Sequence, residues 1–382
     1  MRIALIRQRY NPFGGAERFI ERAMQALERE GTDVTLITRQ WREPSDRHAL
    51  IVDPPYVGRL WRDASFSRAV RALLGTTRFD LVQSHERIPG CDLYRAGDGV
   101  HRRWLDIRLE HAPAFERLGI NMNPYHWYVC AAERSMFEHP ALRAVICNSQ
   151  MVKAEILGDF SIAADKVHVI YNGVDLDYFN PGQRSALRAE ARRKLGCNVS
   201  DTLFSFVGSG FSRKGLGAAI DALAQTGRPD LKLVVAGKDG ATAEFAARAR
   251  RHGVADRVTF LGGLEDVRVV YAASDCFILP TRYDPFPNAA LEALAMGVPI
   301  LVSNQCGAAE LVESGANGWV CESESATQIA RLMVEASGVV GGDLSLRARH
   351  TAEAFGIKKM AGQMTDLYRM LLAGARKEQR GH

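Results

Sequence analysis

Two apolar runs enclosing a helix of small residues constrain this chain more than any other feature. Cys276-Phe277-Ile278-Leu279-Pro280 reads as a buried strand, and Pro299-Ile300-Leu301-Val302-Ser303 reads as another. Between them Asn288 to Met296 reads as a helix, opened by Pro287 and stopped by Gly297 with Pro299. Strand, helix and strand in that order form a βαβ unit, whose strands are parallel and whose crossover is right-handed.

The same alternation runs through the chain. In the second half, strands are expected at Leu203 to Gly208, Lys232 to Gly237 and Val258 to Gly262, besides the two above. Helices are expected at Leu216 to Gln225, Ala243 to His252, Glu265 to Ala273 and Ala309 to Glu313. In the first half, strands are expected at Arg2 to Ile6, Val34 to Thr38, Phe79 to His85, Ala144 to Ser149 and Lys166 to Tyr171. Ala16 to Glu30 patterns as an amphipathic helix, with Phe19, Ile20, Ala23, Met24 and Leu27 on one face and Gly31 as its stop. At 382 residues the chain exceeds one ordinary core. The expectation is α/β: two Rossmann-like, doubly wound parallel-sheet domains facing a central cleft. The first is expected over 1–178 and the second over 179–356, followed by a C-terminal helical segment, 357–382, packing back toward the first.

Composition removes several function classes. An apolar fraction of 47% and a charged fraction of 24% are those of a soluble globular chain. No apolar run approaches the roughly 20 residues that cross a bilayer. The seven cysteines are scattered and include no Cys-x-x-Cys pair, which fits a reduced, cytoplasmic protein. The net charge of +5 allows an anionic partner, but its Lys and Arg residues form no nucleic-acid tract, so no nucleic-acid partner is expected.

The chemistry concentrates after strands. Tyr283-Asp284-Pro285-Phe286-Pro287-Asn288 carries one acid in a Pro-rich loop, and Glu292 supplies a second inside the following helix. Were the intervening residues helical, the carboxylates would stand roughly 12 Å apart along the axis. That is too far for a glycosidase pair, which needs about 5–10 Å, and suits an extended ligand with hydroxyls at both ends. A surface helix with two solvated acids would read the same way in isolation. Position argues against it, because ligands of open α/β sheets lie at the carboxyl ends of strands.

Gly208-Ser209-Gly210-Phe211-Ser212-Arg213-Lys214-Gly215 follows a strand and opens a helix. Arg213 stands where a dinucleotide loop needs its third glycine, and no Lys follows Gly215, so neither the Rossmann fingerprint nor Walker A is met. A tight turn, a helix start and two adjacent cations remain, a combination suited to a diphosphate. Asn11-Pro12-Phe13-Gly14-Gly15 is expected at the carboxyl end of the first strand, where paired glycines admit a ligand close to the backbone. Asp175-Leu176-Asp177 matches Asp-x-Asp but falls in the expected linker, and no metal site is assigned to it. No zinc spacing and no Gly-x-Ser-x-Gly element is present.

These residues, with Tyr171-Asn172-Gly173-Val174-Asp175, resemble the family 4 retaining glycosyltransferases of the GT-B fold, over essentially the whole chain. The acid-x7-acid element begins with Asp284, where many members carry Glu. Within the family the similarity is greatest to the lipopolysaccharide inner-core glucosyltransferases, through Pro12-Phe13-Gly14-Gly15, Asp92 to Asp98 and Tyr125 to Glu138. The resemblance implies retaining transfer of a hexose, glucose first, from a UDP-sugar to the heptose region of the lipopolysaccharide core, with no metal or other cofactor. It implies that Arg213 and Lys214 hold the diphosphate, Glu292 the ribose diol and Asp284 the sugar hydroxyls. Gly14, Gly15, Gly208, Pro285, Phe286 and Asn288 join them as donor-binding residues, and Asp98 is placed beside a sugar in the catalytic set. The cations and aromatics of Val100 to Arg108, with Tyr125, Trp127 and Tyr128, suit a surface resting on an anionic leaflet, and the resemblance implies that this leaflet is the cytoplasmic face of the inner membrane, contacted peripherally. Three alternatives stay open: a UDP-N-acetylhexosamine donor, another lipid-linked or small-molecule acceptor, and a catalytically silent nucleotide-sugar-binding protein.

Overall fold

Short runs of apolar and β-branched residues build two parallel sheets, one in each of two units. The computed structural model describes residues 1–8, 24–40, 49–339 and 341–380. One unit comprises Met1–Tyr171 and Lys358–His382, the other Asn172–Ile357.

In the first unit the described strands are β1 (Arg2–Ile6), β2 (Asp33–Thr38), β3 (Ala49–Ile51), β4 (Leu81–Ser84), β5 (Leu93–Ala96), β6 (Ala144–Cys147) and β7 (Val167–Val169). They pair in the order β3-β2-β1-β4-β5-β6-β7, all parallel. The order reverses between β1 and β4, which makes their carboxyl ends a topological switch point. The described helices here are 24–29 (α1), α2 (Gly58–Thr76), α3 (His101–His111), α4 (Ala114–Asn121), α5 (Pro124–Phe137) and α6 (Gln150–Asp159). One part of the core packs Tyr94, Met136, Phe137, Val145, Val152 and Ile156 together, with the Tyr94 and Phe137 rings edge to face at 5.6 Å.

In the second unit the described strands are β8 (Thr202–Val207), β9 (Leu231–Ala236), β10 (Val258–Gly262), β11 (Cys276–Leu279), β12 (Ile300–Ser303) and β13 (Gly318–Cys321). They pair in the order β10-β9-β8-β11-β12-β13, again all parallel, with the reversal between β8 and β11. The helices are α7 (Pro181–Lys194), α8 (Leu216–Gln225), α9 (Thr242–Arg251), α10 (Arg268–Ala273), α11 (Asn288–Ala295), α12 (Ala326–Val339) and α13 (Gly342–Glu353). Strands β8, β11 and β12 are buried from end to end, as sheets covered on both faces require. The expectation of two Rossmann-like, doubly wound parallel sheets therefore holds.

Three strands escaped the sequence reading, each for a physical reason. β3 is a three-residue, partly exposed edge. β5 carries Arg95 in the middle of a fully buried strand, and its guanidinium lies against the sulfurs of Met360 and Met364 at 3.9 and 3.7 Å. β13 begins at a glycine because a Cβ on Gly318 would stand 2.2 Å from the Ile300 carbonyl oxygen. Helix α7 was not among the expected helices, and it carries an arginine stripe. Arg184, Arg188 and Arg192 donate to the carbonyls of Ala272, Ala273 and Ser274 at the end of α10, and Arg188 and Arg192 also pair with Asp275. The helix expected at Ala309 to Glu313 is instead a 3₁₀ turn over Gly307–Leu311.

The chain changes unit at Tyr171, ahead of the expected boundary at 178. The residues after it bond within the second unit: Val174 N donates to Phe355 O at 2.9 Å, and Asn172 Nδ2 to Asn288 Oδ1 at 2.8 Å. The last helix, α14 (Ile357–Arg380), belongs to the first unit from Lys358 onward. Tyr368 Oη donates to Gln83 Oε1 at 2.7 Å, and Arg143 donates to the Leu371 carbonyl.

Candidate functional site

The second sheet's switch point joins the loop after β8 to the loop after β11. Gly208 follows β8 and Gly215 precedes α8, both with positive φ. Gly215 packs so tightly that a Cβ there would lie 2.0 Å from the Pro280 carbonyl oxygen. Arg213 O accepts from Arg282 N at 2.9 Å and from Thr281 Oγ1 at 3.0 Å, which stitches the two loops together. Lys214 Nζ reaches Asp284 Oδ2 at 3.3 Å and Arg213 Nη1 reaches it at 3.5 Å. Arg213 also donates to Tyr283 O at 2.6 Å. The Lys214 chain lies across Gly208, where a Cβ would come within 2.9 Å of Nζ.

Asp284 itself is fixed by its backbone, which donates to Gln305 O at 3.1 Å and accepts from Gly307 N at 2.9 Å. Its carboxylate is almost fully buried beneath the two cations, leaving a local surplus of one positive charge. A diphosphate fits that surplus. Two of the loop's amides are engaged within the protein: Asp239, in the loop after β9, accepts from Gly210 N and Phe211 N at 2.8 and 2.9 Å. With those two amides bonded to Asp239, the groups in this turn that could meet an anion include the side chains of Arg213 and Lys214.

Helix α11 begins at Asn288, so Asp284 stands outside it and the helical count of the separation to Glu292 applies only from Asn288 onward. Glu292 is half-buried, and its Oε2 accepts from Tyr271 Oη at 2.9 Å. Asn172 Nδ2 holds the start of the helix through Asn288 Oδ1 and the Phe286 carbonyl, the latter at 3.3 Å. Pro285 and Phe286 are buried and shape the loop. Tyr271 and Asp239 were missed in the sequence, and Asn172 entered only through the Tyr171 to Asp175 motif, without a role; a tyrosine inside the apolar Val269 to Ala273 run is the signal that could have exposed the first, since a buried phenol needs a partner.

In the first unit, Asp98 lies at the switch point with residues the sequence did not single out. Arg7, after β1, reaches Asp98 Oδ2 at 3.5 Å and Glu86 Oε1 at 3.8 Å. Glu86 also accepts from Gln8 N at 2.9 Å. Arg87 pairs with the buried Glu133 at 2.7 Å, and Glu133 accepts from His101 N at 2.8 Å. Desolvation opposes the charge on Asp98, but Arg7, Arg87 and His85 outweigh it and hold its pKa below the usual carboxylate value. Desolvation raises the pKa of Glu86 despite Arg7. Desolvation, with Arg95 and Arg7 nearby, keeps His85 well below its ordinary value. Asp98 thus offers an ionised, half-exposed acceptor to hydroxyl groups. Gly14 and Gly15 lie outside the described residues.

Asp175 serves the backbone: its Oδ1 accepts from Asp177 N and Tyr178 N at 3.1 and 3.0 Å, an Asx turn. Of the aromatics expected on a surface, Trp127 is exposed, whereas Tyr125 and Tyr128 are half-buried and Tyr125 Oη donates to Asp63 at 3.0 Å. Phe115, Leu118 and Met122, on or just after α4, are exposed apolar residues close to Trp127 in sequence. Among the described residues, no helix is long and apolar enough to cross a membrane.

Comparison with known proteins decides the family. Residues 13–178 match the model for Glycosyltransferase Family 4, and residues 188–337 that for glycosyl transferases group 1. The chain belongs to the GT-B glycosyltransferases. This glycosyltransferase is 25% identical over 325 residues to the lipopolysaccharide glucosyltransferase WaaG of Escherichia coli (strain K12), covering 84% of the chain and 85% of that protein. A crystal structure of WaaG matches its fold with a TM-score of 0.82 at 24% identity, covering 96% of this chain and 99% of that one. HepE of Anabaena, solved in complex with UDP and glucose, matches with a TM-score of 0.72 at 20% identity, covering 97% and 100%. The D-inositol 3-phosphate glycosyltransferase of Mycobacterium sp. (strain KMS) is 30% identical over 181 residues, 46% of this chain and 40% of that protein.

Proposed function

We propose that this glycosyltransferase moves a hexose, glucose first among candidates, from a UDP-sugar to the heptose region of the lipopolysaccharide inner core, with retention at the anomeric carbon. The convergence of Lys214 and Arg213 on Asp284 carries this reading. Two fixed cations beside one buried carboxylate stabilise a departing diphosphate. Asp284 orients the donor hexose, Glu292 grips the ribose diol, and Asp98 accepts a hydrogen bond from a sugar hydroxyl. Transfer proceeds on the front face: the bond from the anomeric carbon to the phosphate oxygen breaks, the acceptor oxygen bonds to that carbon on the same side, and its proton passes to the leaving phosphate. The cations supply the charge stabilisation that a metal gives elsewhere, so the proposal includes no metal.

The likeness to WaaG over most of both chains supports the lipopolysaccharide acceptor. The exposed Phe115, Leu118, Met122 and Trp127, with Arg117 among them and Arg102 and Arg103 shortly before in sequence, support peripheral contact with an anionic leaflet at the cytoplasmic face of the inner membrane. Seven free thiols suit a reducing compartment. The test is UDP release from a panel of UDP-hexoses and UDP-N-acetylhexosamines, with and without deacylated heptose-containing core. Acceptor-dependent release from UDP-glucose in the presence of EDTA is expected. Release only with a soluble small-molecule acceptor would replace the acceptor, and silence with every donor would leave a binding protein.

A further inference from the structure

We infer that Tyr271 is a specificity-determining positioning residue: through its hydroxyl it sets the Glu292 carboxylate to recognise the ribose diol of the donor, so that the enzyme selects a ribonucleotide over a deoxyribonucleotide. This rests on the proposed role of Glu292 and extends it to a residue with no assigned part.

Tyr271 is fully buried in α10, within the apolar run Val269-Val270-Tyr271-Ala272-Ala273. Its ring is held from two sides, edge-on by Phe179 at 6.2 Å and tilted against Phe277 of β11 at 6.4 Å. Packing alone would be served by phenylalanine, and a buried hydroxyl costs free energy unless it is bonded. Here Oη donates to Glu292 Oε2 at 2.9 Å. A hydrogen bond to a charged acceptor is among the stronger neutral–ionic contacts, and it fixes the carboxylate's plane. Glu292 projects from α11, whose start lies at the carboxyl end of β11, the edge where the second sheet reverses. One carboxylate oxygen is thereby tied to a rigid ring, and the group is oriented before a ligand arrives. Preorganisation of this kind sharpens discrimination, because an analogue without the hydroxyl leaves a fixed polar group unpaired.

The experiment is calorimetric titration of the full chain with UDP, 2′-deoxy-UDP and 3′-deoxy-UDP, for the wild type, Tyr271→Phe and Glu292→Gln. The wild type should favour UDP over at least one deoxy analogue by tenfold or more. Tyr271→Phe should weaken UDP by about tenfold and leave the disfavoured analogue within about twofold, collapsing the preference. Equal weakening of UDP and both analogues would assign Tyr271 to packing and overturn the inference. Unchanged UDP binding and preference in Glu292→Gln would remove the ribose role of Glu292, and the inference with it. No UDP binding by the wild type would instead remove the donor reading itself. Thermal unfolding of each variant accompanies the titrations, and a Tyr271→Phe chain that unfolds in the wild-type range while losing the preference supports the claim.

Discussion

At the scale of single residues, Lys214 is the most exposed to test. Its ammonium lies over Gly208 and reaches Asp284, so removing it takes away a charge that the proposed function sets against the leaving diphosphate. Lys214→Ala is expected to lower kcat/KM by about 100-fold or more, with unchanged thermal stability. An alanine at Gly208 acts on the same group indirectly: its Cβ would displace Lys214 Nζ, and its φ of +137° strains any side chain there. Gly208→Ala should therefore raise KM for the donor by about tenfold, measured in the same steady-state assay. The residue scale also shows how far sequence reaches. Arg213, Lys214 and Asp284 were legible because their spacing after strands announces a ligand edge. Arg7, Glu86, Glu133 and Tyr271 were not, since each acquires its role from a neighbour more than twenty residues away or on another element.

At the scale of elements, the β8–α8 turn depends on close backbone contact with the β11 loop. Gly215→Ala forces a Cβ into the Pro280 carbonyl at a φ of +79°. A loss of about 3 kcal/mol or more, read by denaturant unfolding, is expected, with activity failing as a consequence of folding. That contrasts with Gly208→Ala, where a flexible lysine can move aside. Helix α14 gives a milder case: Tyr368→Phe removes the donor to the buried Gln83 and should cost about 1–2 kcal/mol. Most strands of both sheets could be read because parallel strands are short apolar runs. β5 and α7 could not, because Arg95 is buried against methionine sulfur and because α7 docks through arginines on carbonyl oxygens.

For the whole molecule, the half-buried histidines of the first unit make stability depend on pH. Burial, followed by Arg87, depresses His101 to about 3. Burial likewise lowers His85 and His126. The unfolded chain takes up these protons near pH 6.5, whereas the folded chain does so only at lower pH. The unfolded state thus binds more protons across this window, and stability falls as pH drops below about 6.5. The melting temperature should decline between pH 6.5 and 5, against the opposing contribution of Glu86 and Asp92, whose raised folded pKa values favour the folded state as pH falls, and His101→Asn should flatten the decline.

The central claim is that a sugar nucleotide binds the second unit at the reversal of its sheet. Hydrogen–deuterium exchange with and without UDP tests it most directly. Protection concentrated in 208–215 and 280–292, and absent in Lys214→Ala, is the expected result. Protection confined to the first unit, or none at saturating UDP, would contradict it.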